Sequence, residues 1–264
     1  MFWSLTFTRR LSRLTPARAI RYAAAELPRG PLRVLVVGVY VANKPSTIEH
    51  LVARFAAPAS VSVEQRWAAI RGGPPSAAVA AVTRQILPEY RPKWQILGDL
   101  IGDDWQSFDY VIFCDDDITV GDEFLDRFLR HQQRFDFALA QPARTWRSYT
   151  DWPIVRRRLF TTARQTRFVE GGPLVSMRRD FLALALPFGE ESPMGWGYDL
   201  VWPVTAQDHG LRLGIVDATP IDHSLRPRGA LYAEREVLAQ MSRYLSSRRH
   251  MQGPETFRVV TRYR

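Results

Sequence analysis

Tyr110-Val111-Ile112-Phe113-Cys114-Asp115-Asp116-Asp117 joins an unbroken apolar run to three consecutive carboxylates. A short apolar run bounded by polar residues reads as a β-strand buried on both faces, the kind found inside a largely parallel sheet. In open α/β sheets, ligands bind just beyond the carboxyl ends of such strands. Stacked carboxylates repel one another unless a cation or partial protonation relieves them. Hard oxygen donors at that edge suit Mg²⁺ or Mn²⁺, and those ions in turn suit a phosphorylated substrate. The plainer alternative is an acidic turn or helix cap, because Asp is common where a strand gives way to a loop.

Working outward, the chain alternates between strand and helix patterns. Leu32 to Val39 is a continuous aliphatic run, and Asn43-Lys44-Pro45-Ser46 after it reads as a turn into a helix. Ile48, Leu51, Val52 and Phe55 repeat at helical spacing, whereas Ser60 to Val63 returns to strand alternation. A Gly-Gly-Pro-Pro loop at 72–75 precedes a stretch read as helical through Leu87. Trp94, Leu97 and Ile101 share a helical face before the aspartate-bearing strand, and Phe124, Phe128 and Leu129 place a helix running to about Arg134. Phe137 to Ala140 is a further short strand. No repeat of fixed period and no low-complexity tract interrupts this order. The expectation is an α/β fold with a mixed central sheet flanked by helices, in a single domain over residues 31–230. A basic segment at 1–30 precedes it and a basic helical tail at 231–264 follows.

The 264 residues are 46% hydrophobic, enough for a substantial core. The formal charge of +9 belongs to the two ends: residues 1–33 hold seven Arg and one Glu, and residues 224–264 hold nine Arg and three Glu. The stretch between is slightly acidic and carries no nucleic-acid motif, which argues against a nucleic-acid partner. Arginines interleaved with Phe2, Trp3, Leu5, Phe7, Leu11 and Leu14 suit an anionic membrane surface, and solvated tails are the alternative. Cys114 is the only cysteine, so neither an intrachain disulfide nor a Cys-based zinc site arises. That usage fits a reducing, cytoplasmic location. No apolar run approaches the ~20 residues that a membrane-spanning helix needs.

Three clusters in the second half carry further chemistry. In Phe168-Val169-Glu170-Gly171-Gly172-Pro173, paired glycines permit close backbone approach beside a carboxylate, although a plain turn would look similar. In Gly195-Trp196-Gly197-Tyr198-Asp199, an aromatic face is held between two pliable residues and offers a surface for a sugar ring. Asp199 reads either as a helix N-cap or as a general base for a hydroxyl. Leu211 to Val216 forms a strand that leads, past a proline turn, to Ile221-Asp222-His223. An imidazole there can complete a cation site begun by carboxylates, and Arg226 and Arg228 can meet a diphosphate.

An apolar strand into Asp-Asp-Asp, then Val-Glu-Gly-Gly-Pro, then Gly-Trp-Gly-Tyr-Asp, then a strand ending in Ile-Asp-His resembles, in parts and in order, the GT-A fold nucleotide-sugar glycosyltransferases. The likeness covers about residues 32 to 228, and Gly195-Trp196-Gly197-Tyr198-Asp199 with the later strand Gly214-Ile215-Val216-Asp217 looks like a poorly characterised GT-A-like group of bacteria and plants. It implies a single Rossmann-like GT-A domain that transfers sugar from a nucleoside-diphosphate sugar to a glycan or lipid-linked acceptor hydroxyl, in glycan or cell-envelope polysaccharide synthesis. It implies Mn²⁺ or Mg²⁺ held by Asp115, Asp117 and His223. Donor contacts would come from Val39, Lys44, Asp115, Asp116, Arg226 and Arg228. Contacts to sugar or acceptor would come from Glu170, Gly171, Gly172, Trp196 and Gly197. Asp199 matches the acidic residue that removes the acceptor proton in inverting members, although Tyr198 stands where some relatives carry an acidic partner.

Two rivals use the same residues differently. Asp115-Asp116-Asp117 after a buried strand also fits the nucleophile motif of haloacid-dehalogenase-type phosphatases, with Asp115 attacking phosphorus and Asp217 and Asp222 as a later acidic pair. Those enzymes steady the phosphoryl group with a lysine between the motifs, and the only lysines here, Lys44 and Lys93, lie upstream. The other rival is a non-enzymatic module that binds anionic surfaces.

Overall fold

Alternation within two buried strands sets the architecture. In β2 (Leu32–Val41), Val34 and Val36 enter one apolar cluster while Leu35, Val37 and Val39 enter another. In β5 (Tyr110–Asp115), Tyr110, Ile112 and Cys114 join the first cluster and Val111 and Phe113 the second. Successive side chains on a strand leave opposite faces, so only continuous apolar runs can feed both sides of a sheet covered on both faces.

The computed structural model describes residues 19–20, 31–56, 58–226 and 234–264. The other strands are β1 (Ala19–Ile20), β3 (Val61–Ile70), β4 (Thr83–Leu87), β6 (Phe137–Arg144), β7 (Ala163–Thr166), β8 (Leu174–Arg178), β9 (Arg212–Ile221) and β10 (Val259–Tyr263). They form one mixed sheet in the order β1-β10-β7-β9-β6-β8-β5-β2-β3-β4. Its β4-β3-β2-β5 half is parallel; β8 then lies antiparallel between β5 and β6 and joins the two halves. The site lies at this change of direction, where carboxyl ends of parallel strands leave a crevice.

Helices α1 (Ile48–Phe55) and α4 (Phe124–Arg134) cover one face of the sheet. Helices α3 (Lys93–Ile101), α5 (Arg179–Ala185) and α6 (Tyr198–Asp208) cover the other. Ile48, Leu51, Val52 and Phe55 are all buried, as their helical spacing requires. Burial of each such side chain contributes about 1.5–3 kcal/mol.

Three expectations are corrected. The stretch read as helical through Leu87 holds only the single turn α2 (Ala77–Ala80) before β4. Thr83 to Leu87 pairs with the free edge of β3, and that partner overrides a weak local preference. The proline turn before His223 is not a turn, because β9 runs through Pro220 to Ile221. Pro220 sits where the β6–β9 register shifts, so the N–H that it lacks breaks no regular ladder. The basic tail at 231–264 is only partly helical: after α7 (Glu234–Ser246), β10 enters the sheet against β7, and Ala19 and Ile20 pair with β10 in turn. Most of the N-terminal segment lies outside the described residues. No helix among the described residues is long and apolar enough to cross a membrane.

Candidate active site

Beyond the ends of β2 and β5 opens a cavity of about 560 Å³. Val39, Lys44, Asp115, Asp116, Asp117, Glu170, Gly171, Gly172, Trp196, Gly197, Asp199, His223 and Arg226 all line it. Arg228 lies outside the described residues.

Strand alternation sends the three aspartates different ways. Asp115 continues the side of Val111 and Phe113, towards α3, and its carboxylate pairs with Lys93, the first residue of that helix. Asp116 turns inward with a side chain only 3% exposed. Its Oδ2 accepts from Val41 N at 2.9 Å, and its carbonyl accepts from Thr47 N at 2.7 Å and Ser46 Oγ at 3.1 Å. It therefore ties the ends of β2 and β5 to the entry of α1. Asp117 begins the loop beyond the strand, where its Oδ1 lies 3.3 Å from His223 Nε2 and its Oδ2 accepts from Arg226 Nε at 3.2 Å. Arg226 also pairs with Asp116. Burial pushes the Asp116 carboxyl up against the pull of Arg226. Burial acts the same way on Asp117, but His223 and Arg226 together outweigh it and hold Asp117 below the usual carboxylate range.

The three-ligand set of Asp115, Asp117 and His223 does not assemble, since Lys93 holds Asp115. No group of three or more His, Cys, Asp or Glu side chains able to hold a metal ion occurs among the described residues. Asp117 and His223 nevertheless fit a divalent cation as a pair. Asp117 Oδ1 is buried and faces an imidazole nitrogen, His223 Nε2, at 3.3 Å. A carboxylate oxygen and an imidazole suit Mn²⁺ or Mg²⁺ when substrate phosphates and water supply the remaining ligands.

The opposite wall is built on glycine. Gly195 has φ 76°, and a Cβ there would come within 2.0 Å of Trp94 Nε1. Gly197, at φ 94°, occupies the N-cap of α6, so Asp199 lies within the first turn and is not the cap. Trp196, between the two, faces the cavity. Burial, with a further push from the Glu170 charge, raises the Asp199 carboxyl to about 7. Burial raises Glu170 as well, against the pull of Arg144.

Sequence alone does not mark Arg144 or Lys93 for this site. Arg144, 3% exposed, donates to Tyr149 O at 2.8 Å and to Gly172 O at 2.6 Å, and pairs with Glu170 at 2.6 Å. One guanidinium thus fixes three parts of the wall. Leu238 and Met241 of α7 close another side. The acidic pair required by a phosphatase does not reach the cavity. Asp217 is fully buried against Arg164, and Asp222 accepts from Thr145 Oγ1 at 2.6 Å.

No family model and no curated protein matches the sequence. Solved structures do match. GalNAc-T7 with UDP, GalNAc and Mn²⁺ superposes with a TM-score of 0.53 at 12% identity, over 82% of this chain and 48% of that one. S. aureus TarS residues 1–349 in complex with UDP-GlcNAc gives 0.51 at 12% identity, over 80% of this chain and 64% of that one. The fold is GT-A. A mycobacterial protein shares the arrangement with a TM-score of 0.50 at 17% identity, over 81% of this chain and 75% of that one. The present chain spans about half the length of the GalNAc-T7 chain and just under two thirds of the TarS chain. Within this GT-A fold, the described residues named for a sugar-transfer site line one crevice, whereas Asp217 and Asp222 do not.

Proposed function

We propose that the chain is a glycosyltransferase that moves a sugar from a nucleoside-diphosphate sugar to an acceptor hydroxyl with the help of Mn²⁺ or Mg²⁺, in the synthesis of a glycan or cell-envelope polysaccharide. The observation that carries this reading is the buried pair of Asp117 Oδ1 and His223 Nε2, 3.3 Å apart, at the β5 end of a GT-A crevice. The match to structures that contain UDP, one of them with Mn²⁺, supports it.

A divalent ion bound there would neutralise charge on the departing diphosphate. Asp117 and His223 would hold it, and Arg226, which donates to Asp117, would meet the charge growing on the diphosphate. Trp196 offers its face to a sugar ring. Asp199, a carboxyl poised near neutrality, takes the proton of the attacking hydroxyl, which corresponds to inversion at the anomeric carbon.

The test is thermal unfolding with UDP-, GDP-, ADP- and dTDP-sugars, each with and without Mn²⁺. A ligand at one hundred times its Kd stabilises the native state by about 2.7 kcal/mol. One nucleotide class should raise Tm in the presence of Mn²⁺, and Asp117→Asn should abolish the Mn²⁺-dependent part while unfolding cooperatively. Silence across the panel, or an unchanged response in Asp117→Asn, defeats the reading.

A further inference from the structure

The connection between β6 and β7, residues 145–162, serves two surfaces. Tyr149, Thr150, Asp151 and Trp152 line the cavity. Elsewhere on the same connection Trp146 is 66%, Leu159 58% and Phe160 89% exposed. Single exposed apolar residues are ordinary, but three large ones on one connection mark a surface with a use. Phe160 also has φ 55°, the left-handed region that glycine or asparagine enters more easily. A bulky ring held in water by an unfavourable backbone points to a function for the ring.

The charge around these residues is unbalanced. Arg156 lies with its guanidinium 6.0 Å from the centre of the Trp146 ring and spends hydrogen bonds on neutral oxygens, Trp146 O at 2.8 Å and Thr145 O at 3.4 Å. Arg262 of β10 does the same with Thr161 Oγ1 at 2.6 Å and Leu159 O at 2.8 Å. Arg147, 87% exposed, reaches a carboxylate only at 3.7 Å, on Asp222. Arg157 is exposed as well.

We propose that this connection docks on an anionic lipid surface, with Phe160, Leu159 and Trp146 entering the interface while the arginines meet lipid phosphates. A soluble polyanion would use the arginines but gain nothing from Leu159 and Phe160. A lipid interface uses both. Because the connection also lines the cavity, docking sets the cavity beside the membrane, where a lipid-linked acceptor would be presented. That last consequence rests on the proposed transferase activity, whereas the docking itself does not.

The test is co-sedimentation of the intact chain with vesicles of phosphatidylcholine alone and of phosphatidylcholine mixed with phosphatidylglycerol. Binding is expected only to the mixed vesicles. It should weaken roughly fivefold for each of Arg147→Gln and Arg157→Gln, and more than that for Phe160→Glu, with melting temperatures unchanged. Nucleotide-sugar stabilisation should be the same in Phe160→Glu as in the unsubstituted chain, so failure of docking and failure of the transferase reading are read separately. If all three variants bind the mixed vesicles as well as the parent, the contact belongs to the basic ends and the proposal falls. Retention of polyphosphate without vesicle binding overturns it too.

Discussion

Asp199→Asn separates a proton-accepting carboxylate from a merely structural one. An Asp side chain in water titrates near ~3.9. In the first turn of α6, burial and the neighbouring Glu170 charge lift Asp199 to about 7. A base of that strength is effective at neutral pH, because it is largely ionised and still accepts a proton readily. In the unsubstituted chain, kcat/KM for sugar transfer should rise about tenfold per pH unit on the acid side and level off above about 7. Asp199→Asn should lose about 10²–10⁴ of the rate at its plateau. Glu170→Gln removes the charge that raises Asp199, so the inflection should move to lower pH. Stability should change in the opposite sense to rate. The folded chain keeps the Asp199 proton up to about pH 7, whereas the unfolded chain releases it near ~4. The folded state therefore binds the extra proton across that window, and the Asp199 contribution to stability falls as pH rises through it. Asp199→Asn should flatten that part of the Tm-against-pH curve. The assay is transfer from the nucleotide sugar identified by thermal shift, measured as nucleotide release across pH. Either an acid limb that inflects near ~4, or an Asn variant with parental activity, would refute Asp199 as the base.

Two further substitutions probe the frame. Asp217→Asn leaves Arg164 buried without its counter-ion, where the bidentate contacts now measure 2.8 and 3.1 Å. Breaking such a pair costs about 3–5 kcal/mol, on the order of 10 °C in Tm for a domain of this size, and any loss of activity should follow from unfolding alone. Gly195→Ala forces a side chain into φ 76° and against Trp94. It should destabilise by roughly 1–3 kcal/mol and shift Trp94, which intrinsic fluorescence would report.

The parts of the fold that could be read in advance are those where a residue pattern has one physical solution. Phe124, Phe128 and Leu129 meet one core only on a helix, and α4 spans Phe124–Arg134 as that spacing requires. Val34 to Val39 can bury side chains on both faces only as an inner strand. Residues 83–87 carry no such constraint, because their state depends on the edge that β3 leaves open. The same distinction divides the site. Asp117, Trp196, Asp199 and His223 announce themselves by residue type beside strand ends and glycines. Arg144 does not: an arginine at the end of a strand reads as surface charge until the fold buries it among three loop segments. Lys93 lies upstream of the aspartates in sequence, yet the packing of α3 on β2 carries its ammonium to Asp115.

This last contact alters what the aspartate run means. Three adjacent carboxylates on one edge would repel strongly if all faced one ion. The pleat prevents that by directing Asp115 towards α3 and Asp116 into the junction of β2 and α1. Each then meets a cation or an N–H of the protein itself, and Asp117 meets Arg226 through Oδ2, so all three charges have a partner before any ligand arrives. Asp117 Oδ1 is the one of these oxygens that is buried and faces an imidazole, His223 Nε2, at 3.3 Å. A lone oxygen beside an imidazole is too sparse to form a closed metal cage. Bound Mg²⁺ ordinarily uses one or two carboxylates and completes its shell with phosphate and water. On these residues the ion and the diphosphate would depend on each other, and nucleotide-sugar stabilisation should therefore be greater with Mn²⁺ than the separate effects of either ligand added together.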